Sequence, residues 1–365
     1  MSGAVHHTDG RICRSRTTLA APRASHPCGL PCPSVTNSAA HQGHSDVFGV
    51  HQLTTGIKGI RLRKAVAVTF TAGAVFATGA LTAAPAQAAT APSVSAKGAF
   101  MLNSATGSTL YSKYADTKRP MASTTKIMTA RVVLSTPNLN LDRKITVKQA
   151  YRDYVAAKGA STADLKTGDK VTVRQLLHAL MLPSGCDAAM ALADTFGSGT
   201  SVSARTKSFI SKMNTKAKDL GLTNTHFDSF DGNSTQNTNY TTPRDLAKLT
   251  RSAMKYSTFA GIVKKQKTVQ YATTSSGGTR TYTWYNTNKL LGSYSGATGV
   301  KTGTNTPAGP CLVFAGTRNG KSVVGVLLND TNRFTDAAKL MDYAFGASSA
   351  GTMQLRTLPQ GAQRD

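Results

Sequence analysis

Apolar positions recur along this chain with two periods, and each period predicts a different kind of element. Alternation over 99–102 and 108–111, joined by the polar stretch 103–107, predicts a β-hairpin. After Pro120 the period changes: Ile127, Ala130 and Leu134 share one stripe, which predicts a helix over 121–134. From about 137 to 262 the pattern reads mostly helical, with segments at 174–182, 187–195, 206–220 and 243–256. The last of these opens on Pro243 at its first turn. Strand-like runs return at 268–272, 280–284, 300–304, 311–316 and 322–328, and Asn319-Gly320 supplies a two-residue hairpin turn between the last two. A final helix over about 331–345 places Phe334, Ala337 and Met341 on one face. The expected fold class is α/β, an antiparallel sheet flanked by helices with an inserted all-helical subdomain over 137–262.

Three short patterns carry chemistry on this frame: Ser123-Thr-Thr-Lys126, Ser184-Gly-Cys186 and Lys301-Thr302-Gly303. A lysine three residues after a serine, one helical turn on, lies close enough to take the hydroxyl proton. An ordinary lysine, with a pKa of about 10.4, is protonated at neutral pH, so its surroundings must favour the free amine. Burial, a helix N-terminus or a second cation would each do so, and Lys301 is the expected second cation. Singly the patterns are weak, since Ser252-Ala-Met-Lys255 repeats the first and Lys166-Thr167-Gly168 the third. Those two read as a solvated helix face and a turn. Order and context select the others: Ser123 opens an apolar-periodic helix, Ser184 follows Pro183 at a helix end, and Lys301 enters a strand.

With 122–129 (Ala-Ser-Thr-Thr-Lys-Ile-Met-Thr), 286–291 (Asn-Thr-Asn-Lys-Leu-Leu) and 299–304 (Gly-Val-Lys-Thr-Gly-Thr), the chain resembles the serine-type D-Ala-D-Ala carboxypeptidases. These are low-molecular-mass penicillin-binding proteins, and the likeness is strongest to the short streptomycete DD-transpeptidases. The resemblance runs from about residue 98 to 346 and implies the penicillin-binding protein/β-lactamase-like transpeptidase fold. It also implies roles. Ser123 would be the nucleophile, Lys126 its proton acceptor and Ser184 the donor towards the leaving D-alanine. The N–H groups of Ser123 and Thr304 would hold the oxyanion, and Lys301, Thr302 and Thr304 the terminal carboxylate. Substrates would be stem peptides ending in D-Ala-D-Ala, inhibitors β-lactams, and no metal or other cofactor is called for.

One departure stands out: the second motif of the family usually ends in asparagine and here ends in Cys186. A thiol is a weak donor and a weak acceptor, so Cys186 is expected to bind substrate amides poorly, to favour transfer over hydrolysis, and to respond to thiol reagents. Another is the absence of glutamate, since all 17 acidic residues are aspartate. The glutamate that activates the deacylating water of class A β-lactamases is therefore missing. Two alternatives stay open, a weakly active stem-peptide-binding wall protein and a β-lactamase-like hydrolase.

Composition adds the compartment. Lys58, Arg61, Arg63 and Lys64 precede an uncharged stretch over 65–84 and the small-residue site Ala86-Gln87-Ala88, so 58–88 reads as a signal peptide with the catalytic domain at 89–365. A retained membrane anchor is the other reading of that run. Residues 1–57 hold six of the eight histidines and three of the five cysteines without apolar periodicity. They read as a disordered or non-native extension; Cys28, Cys32 and His26 lack the second pair a zinc site needs. After position 88 there are 35 basic and 15 acidic residues, a net charge of +20 spread along the chain. That pattern suits anionic wall polymers better than nucleic acid, which usually needs a clustered stripe. Gly316 to Ser322 resembles a phosphate loop but falls on the Asn-Gly hairpin, and His178, flanked by leucines, reads as packed.

Overall fold

The computed structural model describes residues 90–362; the expected leader at 58–88 and the extension before it lie outside the described residues. β1 (Gly98–Asn103) and β2 (Thr109–Lys113) form the expected hairpin, and β3 (Arg119–Pro120) leads through a 3-10 turn, Ala122–Thr125, into α1 (Lys126–Leu134). Next come β4 (Lys144–Thr146), α2 (Gln149–Lys158), β5 (Lys170–Thr172), α3 (Val173–Met181), α4 (Cys186–Phe196) and α5 (Val202–Asp219). They are followed by β6 (Tyr240–Thr241), α6 (Pro243–Met254) and α7 (Ser257–Val263). The chain returns through β7 (Lys267–Thr273), β8 (Thr279–Tyr285), β9 (Ala297–Gly303), β10 (Cys311–Arg318) and β11 (Lys321–Leu328) to α8 (Arg333–Phe345).

The main sheet runs β2-β1-β11-β10-β9, with every pair antiparallel. Its two faces bury different residues of the same strand. Phe100 and Leu102 enter a core shared with the helices, whereas Ala99 and Met101 pack with Ala337, Leu340 and Met341 of α8. Because both faces are covered, β10 and β11 are continuous apolar runs along most of their length. Arg318 pairs with Lys321 across a two-residue turn in which Asn319 and Gly320 have φ of 49° and 75°, the geometry for which Asn-Gly is suited. α1 is the central helix: of its nine residues only Arg131 escapes full burial, so the expected stripe is a helix enclosed on all sides.

The insertion is helical in bulk but not all-helical. β4 and β5 pair with β7 and β8 in a separate sheet of order β4-β5-β7-β8, so the strands read at 268–272 and 280–284 do not extend the main sheet. Three-residue strands are too short to show a period, and β5 finds its β7 partner about a hundred residues away. α2 and α7 were likewise not resolved by periodicity; α2 buries only Tyr151. The other helices start where capping chemistry places them. Thr172 and Gln175 make both bonds of a capping box at α3, and Thr242 caps α6 with Pro243 in its first turn.

His178 lies buried on α3, with no hydrogen-bond partner for Nδ1 among the described residues. Burial, assisted by Lys265 and Arg174, lowers its pKa from 6.5 to about 4. Below pH 6.5 the unfolded chain takes up a proton that the folded chain refuses. Stability is therefore lost as pH falls from 6.5 towards 4, by up to about 3 kcal/mol. His178→Leu is expected to flatten that loss; urea midpoints at pH 7 and 4.5 that fall in parallel for both proteins would contradict the assignment.

Candidate active site

Ser123 sits not in the first turn of an α-helix but in the 3-10 turn before it, entered from Ala122 at φ 46°. In a 3-10 turn residues i and i+3 eclipse, which stacks Lys126 over Ser123. Lys126 Nζ donates to Ser123 Oγ at 2.9 Å. The turn is locked from within, because the hydroxyls of Thr124 and Thr125 donate to the carbonyls of Met121 and Ala122 at 2.6 and 2.8 Å. Ser123 is half-buried and Lys126 fully buried.

The loop 229–233 supplies the rest of the Lys126 environment. Lys126 Nζ donates to the Asp231 carbonyl at 2.9 Å, 105 residues away in sequence. The Asp231 carboxylate is fully buried and accepts from Ser229 Oγ at 2.7 Å, Tyr154 Oη at 2.9 Å, Asn233 N at 2.9 Å and Asn233 Nδ2 at 3.0 Å. Burial alone would push this carboxyl up, but the Lys126 charge and these hydrogen bonds outweigh it and hold the carboxyl below its ordinary value. Burial and the neighbouring Asp231 push the Tyr154 phenol up, so it stays a donor. Gly232, at φ +100°, lets the loop touch the nucleophile turn: a Cβ there would lie 2.1 Å from the Ala122 carbonyl oxygen.

The second motif bridges α3 and α4. Ser184, at φ 66°, is buried, and its Oγ has no hydrogen-bond partner among the described residues. Cys186 opens α4 fully buried, with Sγ 3.5 Å from Ser161 Oγ and 3.4 Å from Asn233 Nδ2. Burial first, then the Asp231 charge, push its thiol up to about 12. A thiol so buried and so protonated is a poor target, so the expected response to thiol reagents has no support in this environment. Cys311 is also free and buried. Asp187, in the first turn of α4, does more than put a charge at the helix start. Its carboxylate accepts from Thr162 Oγ1 at 2.9 Å, Ala163 N at 2.9 Å and Leu165 N at 3.0 Å, pinning the loop that walls the cleft. Asp187→Ala strands those donors at about 1–3 kcal/mol each and should speed proteolysis within 160–166. Wild-type melting and digestion by the variant would contradict this.

Lys301 is buried on β9, its Nζ donating to the Thr302 carbonyl at 2.9 Å. The Thr302 hydroxyl bonds that of Thr287 at 2.5 Å, and Thr302 too is buried. Gly303 abuts the nucleophile turn: a Cβ there would stand 2.9 Å from Ser123 N and 3.0 Å from Thr124 N. Arg333, at the start of α8, donates from Nη1 to the Gly303 carbonyl, Thr304 Oγ1 and the Cys311 carbonyl, each at 3.0 Å. It thereby anchors the end of β9.

These elements enclose a cleft of about 480 Å³ with Ser123 in its lining. One wall carries Ser161, Thr162 and Asn233, the other Thr304, Asn305 and Thr306, with Lys158 the only charged lining residue among the described residues. Ser123 and Thr304 of the sequence-derived set face this space; Lys126, Ser184, Cys186, Lys301 and Thr302 are buried around it. Asp231, Tyr154, Asn233 and Arg333 were not singled out from sequence. Only the turn chemistry of Asp231-Gly232-Asn233 marks any of them, and it does not distinguish a site from a loop. A serine bonded to a buried amine and exposed to a polar cleft is an arrangement for acyl transfer.

The profile of the D-alanyl-D-alanine carboxypeptidase family matches residues 85–332. A D-alanyl-D-alanine carboxypeptidase of Streptomyces sp. strain K15 is 57% identical over 290 residues, covering 78% of this chain and 99% of that protein. One from Bacillus subtilis is 30% identical over 256 residues, covering 68% of this chain and 62% of that protein. The crystal structure of the Streptomyces K15 DD-transpeptidase superposes with a TM-score of 0.70 at 58% identity, covering 71% of this chain and 100% of that one. The chain belongs to the D-alanyl-D-alanine carboxypeptidase family, serine enzymes with carboxypeptidase or transpeptidase activity on the D-Ala-D-Ala ends of peptidoglycan stem peptides and open to inhibition by β-lactams.

Proposed function

We propose that Ser123 Oγ attacks the carbonyl carbon of the penultimate D-alanine while its proton passes to Lys126 Nζ, which enters this step as the free amine. The bond from Ser123 oxygen to carbon forms, and the oxyanion is held by the N–H groups of Ser123 and Thr304; one such donor is worth roughly 3–4 kcal/mol of barrier. As the tetrahedral intermediate collapses, the C–N bond breaks and the Ser184 hydroxyl passes a proton to the departing D-alanine amine, taking in its place the one Lys126 Nζ had accepted. Lys301, with the hydroxyls of Thr302 and Thr304, holds the terminal carboxylate of the stem peptide until then. Water or an amine then takes the acyl group from Ser123. The observation that carries this reading is the 2.9 Å contact of Lys126 Nζ with Ser123 Oγ in the lining of the cleft.

In this reading the chain is exported: 58–88 is removed as a signal peptide, 89–365 is the catalytic domain, and the +20 charge of that domain draws it to anionic wall polymers, not nucleic acid. The test is product analysis with a peptide ending in D-Ala-D-Ala, with and without glycine as acceptor. D-Alanine release in both, with glycyl product only when glycine is present, is expected. A peptide bound but never cleaved would leave a wall-binding protein as the better account.

A further inference from the structure

Resting on that reading of the site, we propose that Asn233 reads the backbone amides of the stem peptide, taking the place of the asparagine that the second motif lacks. With its thiol, Cys186 is a weak donor and a weak acceptor for that task. Its side chain is fully buried and absent from the cleft lining, whereas Asn233 is only half-buried and shares that lining with Ser123. The two side chains are adjacent, Asn233 Nδ2 lying 3.4 Å from Cys186 Sγ, so an amide stands directly beside the position that the motif has vacated.

The orientation of that amide is set chemically. An ionised carboxylate only accepts hydrogen bonds, so the atom facing Asp231 Oδ2 at 3.0 Å must be the donor Nδ2. Asn233 Oδ1 is left as an acceptor that no donor reaches among the described residues. The backbone is equally constrained, since Asn233 N donates to Asp231 Oδ1 at 2.9 Å. The preceding Gly232 carbonyl accepts from Asn305 Nδ2 at 3.2 Å, which ties this wall of the cleft to the other. One Nδ2 hydrogen serves Asp231; the other points to a thiol, a weak acceptor that gives way readily to a peptide carbonyl. Asn233 thus offers an extended substrate one acceptor and one exchangeable donor, the pair that an asparagine at position 186 would have supplied. Asp231, through its bonds to Lys126 and Asn233, sets the proton acceptor and this amide together.

The test compares Ser123 acylation rates for two penams, benzylpenicillin with its acylamido side chain and penicillanic acid, the same nucleus without one. In wild type the acylamido compound should be preferred. Asn233→Ala should cut that preference, the ratio of the two acylation rates, about tenfold, the worth of roughly one good hydrogen bond. In the Cys186→Asn background the same substitution should matter less, because a second amide is present. Asn233→Ser, which keeps a hydroxyl donor beside the Asp231 carboxylate where alanine has none, replaces the alanine variant should that one not fold. A preference unchanged in these variants, with Ser123 still acylated, overturns the role of Asn233 alone. Failure of both penams to acylate wild-type Ser123 overturns the proposed function and this inference with it.

Discussion

Gly303→Ala is expected to abolish acylation of Ser123 while leaving the fold in place. The added methyl would stand 2.9 Å from Ser123 N, 3.0 Å from Thr124 N and 3.3 Å from Ala122 Cβ. Two of these are backbone atoms, which cannot swing aside as a side-chain end can. The turn that holds them is fixed by the Thr124 and Thr125 hydroxyls and continues into the enclosed helix α1. Strand β9 must therefore retreat, or the methyl must cover the Ser123 N–H where the oxyanion forms. Loss of one such donor costs about 10²–10³ in rate, and displacement of Thr304 removes the second, so a fall of at least about 10³ is expected. Fluorescent-penicillin labelling measures it, with Gly351→Ala, which meets nothing within 4 Å, as the control. Normal labelling of Gly303→Ala would mean that β9 does not close on the nucleophile.

Lys126→Met should fail twice, in catalysis and in stability. Removing the proton acceptor is expected to slow acylation by about 10²–10⁴. It also strands the Asp231 carboxylate, which is fully buried and held ionised in part by the Lys126 charge. A buried charge deprived of its partner destabilises by about 3–5 kcal/mol. The losses separate in the double variant Lys126→Met with Asp231→Asn, which should regain most of the stability and none of the activity. Urea midpoints and acylation rates of the three variants check both. Recovered acylation in the double variant would mean that Lys126 serves only to neutralise Asp231.

What could be read from sequence, and what could not, follows the distance over which each feature is determined. The nucleophile turn, the second motif and β9 were legible because each packs its chemistry into three or four residues, and order along the chain sets them apart from the look-alikes. Of those, Lys166-Thr167-Gly168 lies at a turn, with Lys166 paired to Asp164, and Ser252 accepts a bond from Arg131 of α1 at 3.0 Å. The 3-10 start of the nucleophile helix was not legible, since spacings of three suit both helices. The set around Lys126 was hidden for another reason. Asp231 comes from a loop without period and reaches Lys126 only through tertiary folding, so no local pattern marks the buried carboxylate beside the amine. Arg333 was invisible in the same way, announcing a helix start and not its three bonds to β9 and β10. The short strands β4 and β5 exist because β7 is there to receive them, which no window of a few residues can report.

Intact-protein mass spectrometry after brief exposure to benzylpenicillin, followed by peptide mapping, tests the central claim most directly. One adduct per chain on the peptide bearing Ser123, retained in wild type and absent from Ser123→Ala, is the expected result. An adduct on any other residue, or D-alanine still released by Ser123→Ala, would contradict it.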